Sequence, residues 1–212
     1  MMNNEARMTN DELMTKREPP EKRVTEFLRA VASAVLSGLR HWSFGFPSSF
    51  GIFPMIRCGI GYDVHRFAEG RKLILGGLEI AHSHGLEGHS DADVLLHAIA
   101  DALLGAVGEG DIGQHFPNTD ESIRGISSIE ILKRVIKVLA GKNARLVNID
   151  ATILAEEPKL APHIAAMRKT IADAIGTPDS NVSVKATTNE KLGAIGRGEG
   201  IAAIAIATVA VE

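Results

Sequence analysis

Two histidines and one aspartate, divided between a strand-like stretch and a helical run, constrain the fold of this chain more than any other feature. Asp63 and His65 lie two apart in an alternating stretch, so in a β-strand their side chains point to the same face. His97 lies in an acidic and apolar run, residues 91–101, that has helical spacing. A strand that faces this helix would gather the three side chains, the metal trio, around one ion. The sequence therefore predicts a mixed fold and a metal-dependent enzyme.

The metal trio is a ligand set that suits zinc. Two imidazoles and one carboxylate are common zinc ligands, and three protein ligands leave open the fourth position that catalytic zinc sites use. Asp93 and Asp101 lie one turn on either side of His97, and a metal-bound histidine usually donates its second N–H group to such a neighbour. We expect one of these carboxylates to orient His97. Alternatively, both histidines are polar core positions that bind no metal.

The composition favours one soluble domain and disfavours a nucleic-acid partner. Hydrophobic residues make up 45% of the 212 residues, which is enough for one domain with a core. The formal net charge is -3, so no basic surface attracts nucleic acid. No apolar stretch approaches the roughly 20 residues that cross a bilayer. The one cysteine, Cys58, fits a reducing compartment, and we expect a cytoplasmic protein without a membrane segment.

The aromatic residues mark a boundary near Met55, because most of them precede it. Residues 1–23 are polar and are predicted to be disordered. Residues 24–40 have the apolar spacing of an amphipathic helix. We predict a leader over residues 1–54 and a domain over residues 55–212. The leader is either an appendage outside the native domain or a genuine docking helix, and the sequence does not separate the two.

Hydrophobic periodicity and turn residues predict the elements of the domain. Strands are predicted over residues 57–67, 72–75, 145–154, 181–186 and 201–211, and helices over residues 91–106, 127–139 and 162–175. Ser90 or Asp91 is expected to cap the first helix, with His97 in its middle. Strands and helices alternate imperfectly. The expected architecture is therefore α+β, a small mixed β-sheet covered on one face by helices.

Further polar residues have the chemistry of phosphate and hydroxyl recognition. His89 precedes the first helix, where free N–H groups and the helix dipole stabilise a phosphate. Asp111 and Gly113 follow that helix, and a carboxylate beside a backbone N–H group suits substrate hydroxyls. Ordinary turn residues are the alternative interpretation. Arg197 lies among closely spaced glycines, either in an exposed pair with Glu199 or as an anion ligand in the cavity of an oligomer.

Two predicted strand ends carry groups typical of a nucleotide diphosphate site. Lys159 follows one strand, and Thr187, Thr188 and Glu190 follow another. A glutamate in this position can hold a magnesium ion that bridges phosphate oxygens. Neither a P-loop sequence nor a dinucleotide-binding glycine pattern is present, so a nucleotide would be held in another way. Solvated turns are the alternative interpretation.

Taken in order, these blocks resemble the 2-C-methyl-D-erythritol 2,4-cyclodiphosphate synthase family. The matching blocks are Asp63-Val-His65, His89-Ser90-Asp91-Ala-Asp93-Val-Leu-Leu-His97, Asp101-Ala-Leu-Leu-Gly105, Gly110-Asp111-Ile-Gly113, Phe116-Pro117, Pro158-Lys159, Lys185-Ala-Thr-Thr188, Glu190-Lys-Leu-Gly193 and Gly196-Arg-Gly-Glu-Gly200. Each block is weakly specific by itself. Together they cover residues 56–211 essentially without gaps, which makes the resemblance specific.

The resemblance implies an α+β homotrimer with active sites between subunits, in the non-mevalonate pathway of isoprenoid biosynthesis. It implies that the 2-phosphate of 4-diphosphocytidyl-2-C-methyl-D-erythritol 2-phosphate attacks the β-phosphorus and releases CMP. The implied roles are Asp63, His65 and His97 as zinc ligands; Glu190 as the ligand of magnesium or manganese; His89, Ser90, Asp111, Gly113 and Phe116 around the phosphates and erythritol hydroxyls; and Pro158, Lys159, Thr187 and Thr188 in the cytidine and phosphate pocket. Lys159 and Thr188 are also expected to act in catalysis.

Two residues depart from the family pattern. Asn118 stands where relatives often have an aspartate, which softens a hydroxyl contact, and Ala194 replaces a larger apolar residue. The second change widens the central cavity of the implied trimer, where Arg197 matches a position that binds an isoprenoid diphosphate. Two rival functions remain open from sequence: a zinc-dependent phosphoesterase that activates water, and a non-enzymatic module that binds isoprenoid diphosphates.

Overall fold

The computed structural model describes residues 54–117, 119–121 and 124–212, together with Glu26, Arg29 and Ser33, which are helical. The chain divides into two compact units, Met1–Gly51 and Ile52–Glu212, and the fold below is that of the second. Most of the predicted leader, with its helix over residues 24–40, lies outside the described residues. The proposed domain boundary at residue 55 stays a prediction.

The described elements begin with four strands and three helices, and strands and helices alternate after that. The strands are β1 (Met55–Ala68), β2 (Leu73–Leu75), β3 (Leu78–Ile80), β4 (Gly85–Leu86), β5 (Ala144–Leu154), β6 (Val182–Thr187) and β7 (Gly200–Val211). The helices are α1 (Val94–Val107), α2 (Ile112–His115), α3 (Ser128–Gly141), α4 (Ile164–Ile175) and α5 (Gly193–Gly196), with 3-10 turns at Ala161–His163 and Asp179–Asn181. The longer elements match the predicted ones to within a few residues.

Among the described residues, five strands form the main sheet in the order β4-β1-β7-β5-β6. Strand β1 pairs antiparallel with β7 from Met55 opposite Val211 to Arg66 opposite Gly200. Strands β5 and β6 are parallel, and α4 lies in the crossover between them, while β5 and β7 are antiparallel. The predicted α+β fold, with a small mixed β-sheet and helices packed against it, is therefore confirmed.

Helix α1 packs closely on β1 and β7 and is buried along nearly its whole length. Two glycines of β1 face it. An added Cβ atom would lie 2.1 Å from the carbonyl oxygen of Ala102 at Gly59, and 2.0 Å from that of Ala98 at Gly61. The missing side chains let helix and strand approach closely, and this approach brings His97 on α1 to the side of β1 that carries Asp63.

Gly61→Ala is expected to lower the free energy of unfolding by about 1–3 kcal/mol, because the new methyl group must displace the helix backbone. The same shift should weaken metal binding. Gly141→Ala is the matched control: nothing lies within 4 Å of a Cβ atom built there, and alanine favours the helix. Urea denaturation of both variants checks the prediction, which is wrong if the two are equally stable.

The sheet face opposite α1 carries large apolar side chains that are exposed in the single chain. We call Ile60, Tyr62, Val64, Ile204 and Ile206 the apolar sheet face. Ile60 is 70% exposed, Tyr62 57% and Ile206 47%. These residues are cross-strand neighbours, since Ile60 lies opposite Ile206 and Tyr62 opposite Ile204. Such a contiguous apolar patch is typical of a protein–protein interface.

Two expectations about α1 are wrong. The helix begins at Val94, and its N-cap is Asp93, whose side chain accepts a hydrogen bond from the Leu96 backbone N–H, rather than Ser90 or Asp91. His97 therefore lies in the first turn instead of mid-helix.

Within the described part of the chain, none of the helices is long and apolar enough to cross a membrane.

Candidate metal centre and phosphate site

The structure brings the metal trio together where β1 meets the start of α1. The Oδ2 atom of Asp63 lies 2.9 Å from the Nε2 atom of His65 and 2.9 Å from the Nδ1 atom of His97. The two imidazole nitrogens are 3.2 Å apart. All three ligand atoms lie within 4.8 Å of one another, which is the arrangement of a candidate metal site.

The trio is electrostatically coupled. Burial alone would raise the pKa of Asp63, but hydrogen bonds and charge interactions with His65 and His97 hold it well below its ordinary value. Burial lowers the pKa of His65, but the hydrogen bond and charge of Asp63 outweigh this effect and raise it above 6.5. A further hydrogen bond to the Glu87 backbone favours the protonated ring. A proton therefore competes with a metal ion for His65.

Metal binding is expected to weaken as the pH falls from about 8 to about 6, because only the neutral imidazole of His65 binds a metal. Because the pKa of His65 is raised above its ordinary value, the protonated ring gains more weight towards the lower end of this range. Asp63 stays ionised throughout and adds no pH dependence. Calorimetric titration with Zn²⁺ in buffers of different ionisation enthalpy measures affinity and proton release. Equal affinity at both ends, without proton release, would contradict this expectation.

The second nitrogen of His97 has partners that differ from the predicted ones. Its Nε2 atom lies 2.9 Å from the Oγ atom of Ser128 and 3.1 Å from that of Ser90. The expectation that Asp93 or Asp101 orients this ring is wrong. The Asp93 carboxylate accepts hydrogen bonds from the backbone of Gly77 and Leu96 instead.

The two misassigned aspartates have structural roles near the site. Asp93 is fully buried, and desolvation raises its pKa to about 6 despite its backbone hydrogen bonds. It ties the turn before β3 to the start of α1. Asp101, on α1, accepts a hydrogen bond of 2.7 Å from the backbone N–H of Ile112. This hydrogen bond ties the start of α2 to α1. Both carboxylates accept hydrogen bonds from backbone N–H groups, and neither forms a hydrogen bond with His97.

The metal trio lines a cavity of about 580 Å³ together with several predicted phosphate and hydroxyl ligands. The predicted residues in its wall are Asp63, His65, His97, His89, Ser90, Gly113 and Phe116. The Nε2 atom of His89 is buried and is without a hydrogen-bond partner among the described residues. Such an atom is costly to leave unpaired, so it marks a place for a polar ligand. Asp111 caps α2 by accepting hydrogen bonds from Gln114, and it does not itself line this cavity.

A second cavity, of about 500 Å³, lies at the ends of β5 and β6. It is lined by the four residues predicted for the cytidine and phosphate pocket: Pro158, Lys159, Thr187 and Thr188. Ala155, Leu160 and Ile164 add apolar walls. The wall thus combines the cation of Lys159, two hydroxyls and apolar surface, with the Glu156 carboxylate as its one acidic group, and the cation and hydroxyls suit a nucleoside with an attached phosphate. This cavity shares no lining residue with the first.

Glu190 lies beside the second cavity, in a loop whose backbone has positive φ angles. Glu190 and Lys191 have φ angles of 50° and 62°, which non-glycine residues rarely adopt. The Glu156 carboxylate holds this loop by accepting hydrogen bonds from the backbone of Asn189 and Lys191 and by pairing with the Lys191 side chain at 2.6 Å. Thr188 donates a hydrogen bond of 3.0 Å to Glu190. Sequence reasoning gave Glu156 no such role.

A third cavity, of about 670 Å³, includes Ala194, Gly198 and Glu199 in its wall. Arg197 pairs with Glu199 at 2.6 Å, and both side chains are exposed in the single chain. This is the exposed pair that the sequence left as one alternative. Asn118 lies outside the described residues.

A helix packed on a mixed sheet, with two histidines and a carboxylate gathered at the wall of a cavity, defines this chain as an α+β enzyme with a candidate metal site. Residues 56–210 match the model of the YgbB family. The chain therefore belongs to the YgbB family, and the resemblance found in the sequence is confirmed.

The relatives agree in sequence and in fold. The 2-C-methyl-D-erythritol 2,4-cyclodiphosphate synthase of Alkaliphilus metalliredigens is 62% identical over 154 residues, covering 73% of this chain and 97% of the relative. IspF of Plasmodium falciparum, solved as a CDP complex, has a TM-score of 0.66 and 32% identity, covering 76% of this chain and 99% of that one. The bifunctional IspDF of Campylobacter jejuni has a TM-score of 0.72 and 42% identity, covering 75% of this chain, which spans only 43% of that larger protein.

Proposed function

We propose that this enzyme converts 4-diphosphocytidyl-2-C-methyl-D-erythritol 2-phosphate into 2-C-methyl-D-erythritol 2,4-cyclodiphosphate and CMP, in the non-mevalonate isoprenoid pathway. The observation that carries the proposal is the convergence of Asp63, His65 and His97 at the wall of a cavity that His89 also lines. Among the described residues, the buried Nε2 atom of His89 has no hydrogen-bond partner. The 62% identity with the 2-C-methyl-D-erythritol 2,4-cyclodiphosphate synthase of A. metalliredigens supports it.

The donor set fits zinc, with two imidazoles and one carboxylate and an open side towards the cavity. When bound, zinc would orient and polarise a phosphate oxygen of the substrate. The residues of the chain supply the rest. Asp63 holds negative charge at the site because its pKa is lowered, and the hydrogen bonds of His65 and His97 fix the directions of both rings.

The reaction needs no nucleophile from the protein, since the attacking phosphate and the leaving CMP belong to one molecule. The task of the chain is to fold the substrate so that its 2-phosphate reaches the β-phosphorus. We assign His89 and Ser90 to the phosphates, and Asp111, the Gly113 backbone and Phe116 to the erythritol part. The positions of His89, Gly113 and Phe116 in one cavity wall support this assignment.

We assign the cytidine diphosphate end to the second cavity, with Lys159, Thr187 and Thr188 at the phosphates and Pro158 in the wall. The CDP complex of the P. falciparum relative supports a cytidine ligand. Glu190 is the proposed ligand of Mg²⁺ or Mn²⁺, since a single exposed carboxylate with substrate phosphates is a common magnesium environment. Lys159 and Thr188 would then stabilise charge that develops as CMP departs.

We propose a homotrimer in which neighbouring copies complete each active site. Within one chain, Val64 aligns with Ala202, Leu154 and Thr187 across four adjacent strands, so three strand spacings, roughly 14 Å, separate the metal-ligand strand from the second cavity. A neighbour can bring its own second cavity closer to the metal trio. The apolar sheet face offers the surface for association.

The proposal has three further parts, which concern the central cavity, the cell compartment and the bounds of the catalytic domain. Arg197 would line the central cavity of the trimer and bind an isoprenoid diphosphate there, next to the small side chain of Ala194. The cytoplasm is the proposed compartment, because a single free cysteine, Cys58, suits a reducing environment. Residues 55–212 are proposed as the catalytic domain, and residues 1–54 as a leader.

Phosphorus NMR of the products tests the function directly. With the cytidyl substrate, zinc and magnesium present, we expect CMP and the cyclic diphosphate in equal amounts, with no inorganic phosphate. Release of inorganic phosphate would favour a zinc-dependent phosphoesterase instead. Binding of isoprenoid diphosphate without turnover, unchanged in His97→Ala, would favour the non-enzymatic module.

A further inference from the structure

We infer that Ser128, held by Asp91, is a positioning residue that dictates which nitrogen of His97 binds metal. The inference rests on the metal site of the proposed function and goes beyond it. Ser128 is 0% exposed, and it begins α3, an element that carries no member of the metal trio. Its hydroxyl nevertheless contacts the His97 ring from the side opposite the ligand atoms.

The hydrogen-bond partners of Ser128 leave its hydroxyl one orientation. Its Oγ atom donates to the Oδ1 atom of Asp91 in a short hydrogen bond, since this carboxylate oxygen can only accept. A serine hydroxyl has one proton, so towards the Nε2 atom of His97, at 2.9 Å, it presents a lone pair. The Nε2 atom must therefore carry a hydrogen and donate it. Otherwise two lone pairs would face each other in a buried place, which is unfavourable.

The hydrogen on Nε2 determines the role of the other ring nitrogen, Nδ1. With Nε2 committed to a serine, Nδ1 is the nitrogen left for the metal, and Nδ1 is the atom that lies 2.9 Å from Asp63 and 3.2 Å from His65. A metal ion held by the trio would therefore bind on the Nδ1 side of this ring, which faces the carboxylate of Asp63. The hydroxyl of Ser90, 3.1 Å from Nε2, is a second neighbour that accepts a hydrogen bond from the Ala92 backbone.

Asp91 also fixes where Ser128 lies. Its Oδ2 atom accepts a hydrogen bond of 3.0 Å from the backbone N–H of Ser128, so both the backbone and the hydroxyl of this residue are bound to one carboxylate. The segment before α1 and the first residue of α3 are thereby joined next to the His97 ring. Asp91, Ser128 and His97 form one chain of hydrogen bonds that ends at the metal trio.

Zinc affinity tests the inference without any substrate. Competition with a chromophoric chelator, using Zn²⁺ alone, is expected to give a dissociation constant 10–100-fold higher for Ser128→Ala, the usual loss when a metal-bound histidine loses its orienting partner. Ser128→Thr keeps the hydroxyl and should restore most of the affinity. Ser127→Ala is the matched control, because it removes the N-cap of the same helix without contact to His97.

A double-mutant cycle measures the energetic coupling between Asp91 and Ser128 in zinc binding, which independent structural roles of the two residues would not produce. In Asp91→Ala the hydroxyl of Ser128 is free to donate to Nε2, so this variant should also lose zinc affinity, and the double variant should lose no more than Ser128→Ala alone. Fully additive losses would overturn the chain of hydrogen bonds. Circular dichroism of each variant reports whether the fold is kept.

Nitrogen-15 NMR of the zinc-loaded wild-type protein decides the matter even if a variant does not fold. We expect the metal on Nδ1 of His97 and a slowly exchanging hydrogen on Nε2. Metal on Nε2, or wild-type zinc affinity in Ser128→Ala, would overturn the inference. Absence of CMP formation alongside these expected results would discard the proposed reaction and leave the role of Ser128 standing.

Discussion

Asp63→Ala and His97→Ala are each expected to abolish zinc content and to lower the rate of CMP release by about 1,000-fold or more. Either change leaves two protein ligands, and in Asp63→Ala the site also loses its negative charge. A metal that stabilises several kcal/mol of transition-state charge accounts for a loss of this size, since each 1.4 kcal/mol is about tenfold in rate. Metal analysis and a continuous CMP assay measure the two effects.

His84→Ala is the matched control for this prediction, because its ring contacts Ser83 and lies outside the metal trio. It should keep both zinc and activity. Light scattering should also report the same assembly for all three variants, since none of these positions belongs to the apolar sheet face. Retained turnover in a zinc-free Asp63→Ala protein would disprove the assigned mechanism.

Ile206→Asp is expected to convert the proposed trimer to monomers and to remove nearly all activity, while each chain stays folded. Ile206 is 47% exposed in the single chain and lies opposite Ile60 in the apolar sheet face. In an assembled interface the new carboxylate would be buried without a partner, which costs several kcal/mol in each of three copies. Activity falls with assembly, because the proposed active site takes its two cavities from different copies.

Size-exclusion chromatography with light scattering measures the mass, and the CMP assay follows activity in the same fractions. Lys137→Asp introduces the same residue on the exposed surface of α3 and should leave both unchanged. A monomeric Ile206→Asp protein with full activity would separate catalysis from assembly. A trimeric Ile206→Asp protein would show that the apolar sheet face serves some other contact.

The metal trio could be predicted from sequence because its geometry follows from local rules. Asp63 and His65 lie two residues apart in one strand, so their side chains point to the same face. His97 follows a run of polar residues that is typical of a helix start. The orientation of His97 could not be predicted in the same way. Its partner Ser128 lies 31 residues away on another helix, and only the packing of α3 against α1 brings the two together. The spacing of Asp93 and Asp101 predicts a contact with His97, whereas both carboxylates accept hydrogen bonds from backbone N–H groups.

The fold was predictable to a similar degree. Long elements with clear periodicity, such as α4 and β5, lie within a residue or two of their predicted bounds. The short helices α2 and α5 and the two-residue strand β4 were not predicted, since a single turn or pair of residues has too little periodic signal. The order of the strands also depends on contacts distant in sequence, which no local pattern contains.

The pairing of β1 with β7 has a consequence for how the protein is made. Strand β1 carries two metal ligands, yet its long neighbour in the sheet is β7, from Arg66 opposite Gly200 to Met55 opposite Val211. During synthesis the ribosome releases β1 well over a hundred residues before this partner. The main sheet beside the metal site can therefore form only after β7 has been synthesised, and until then β1 stays without its long partner.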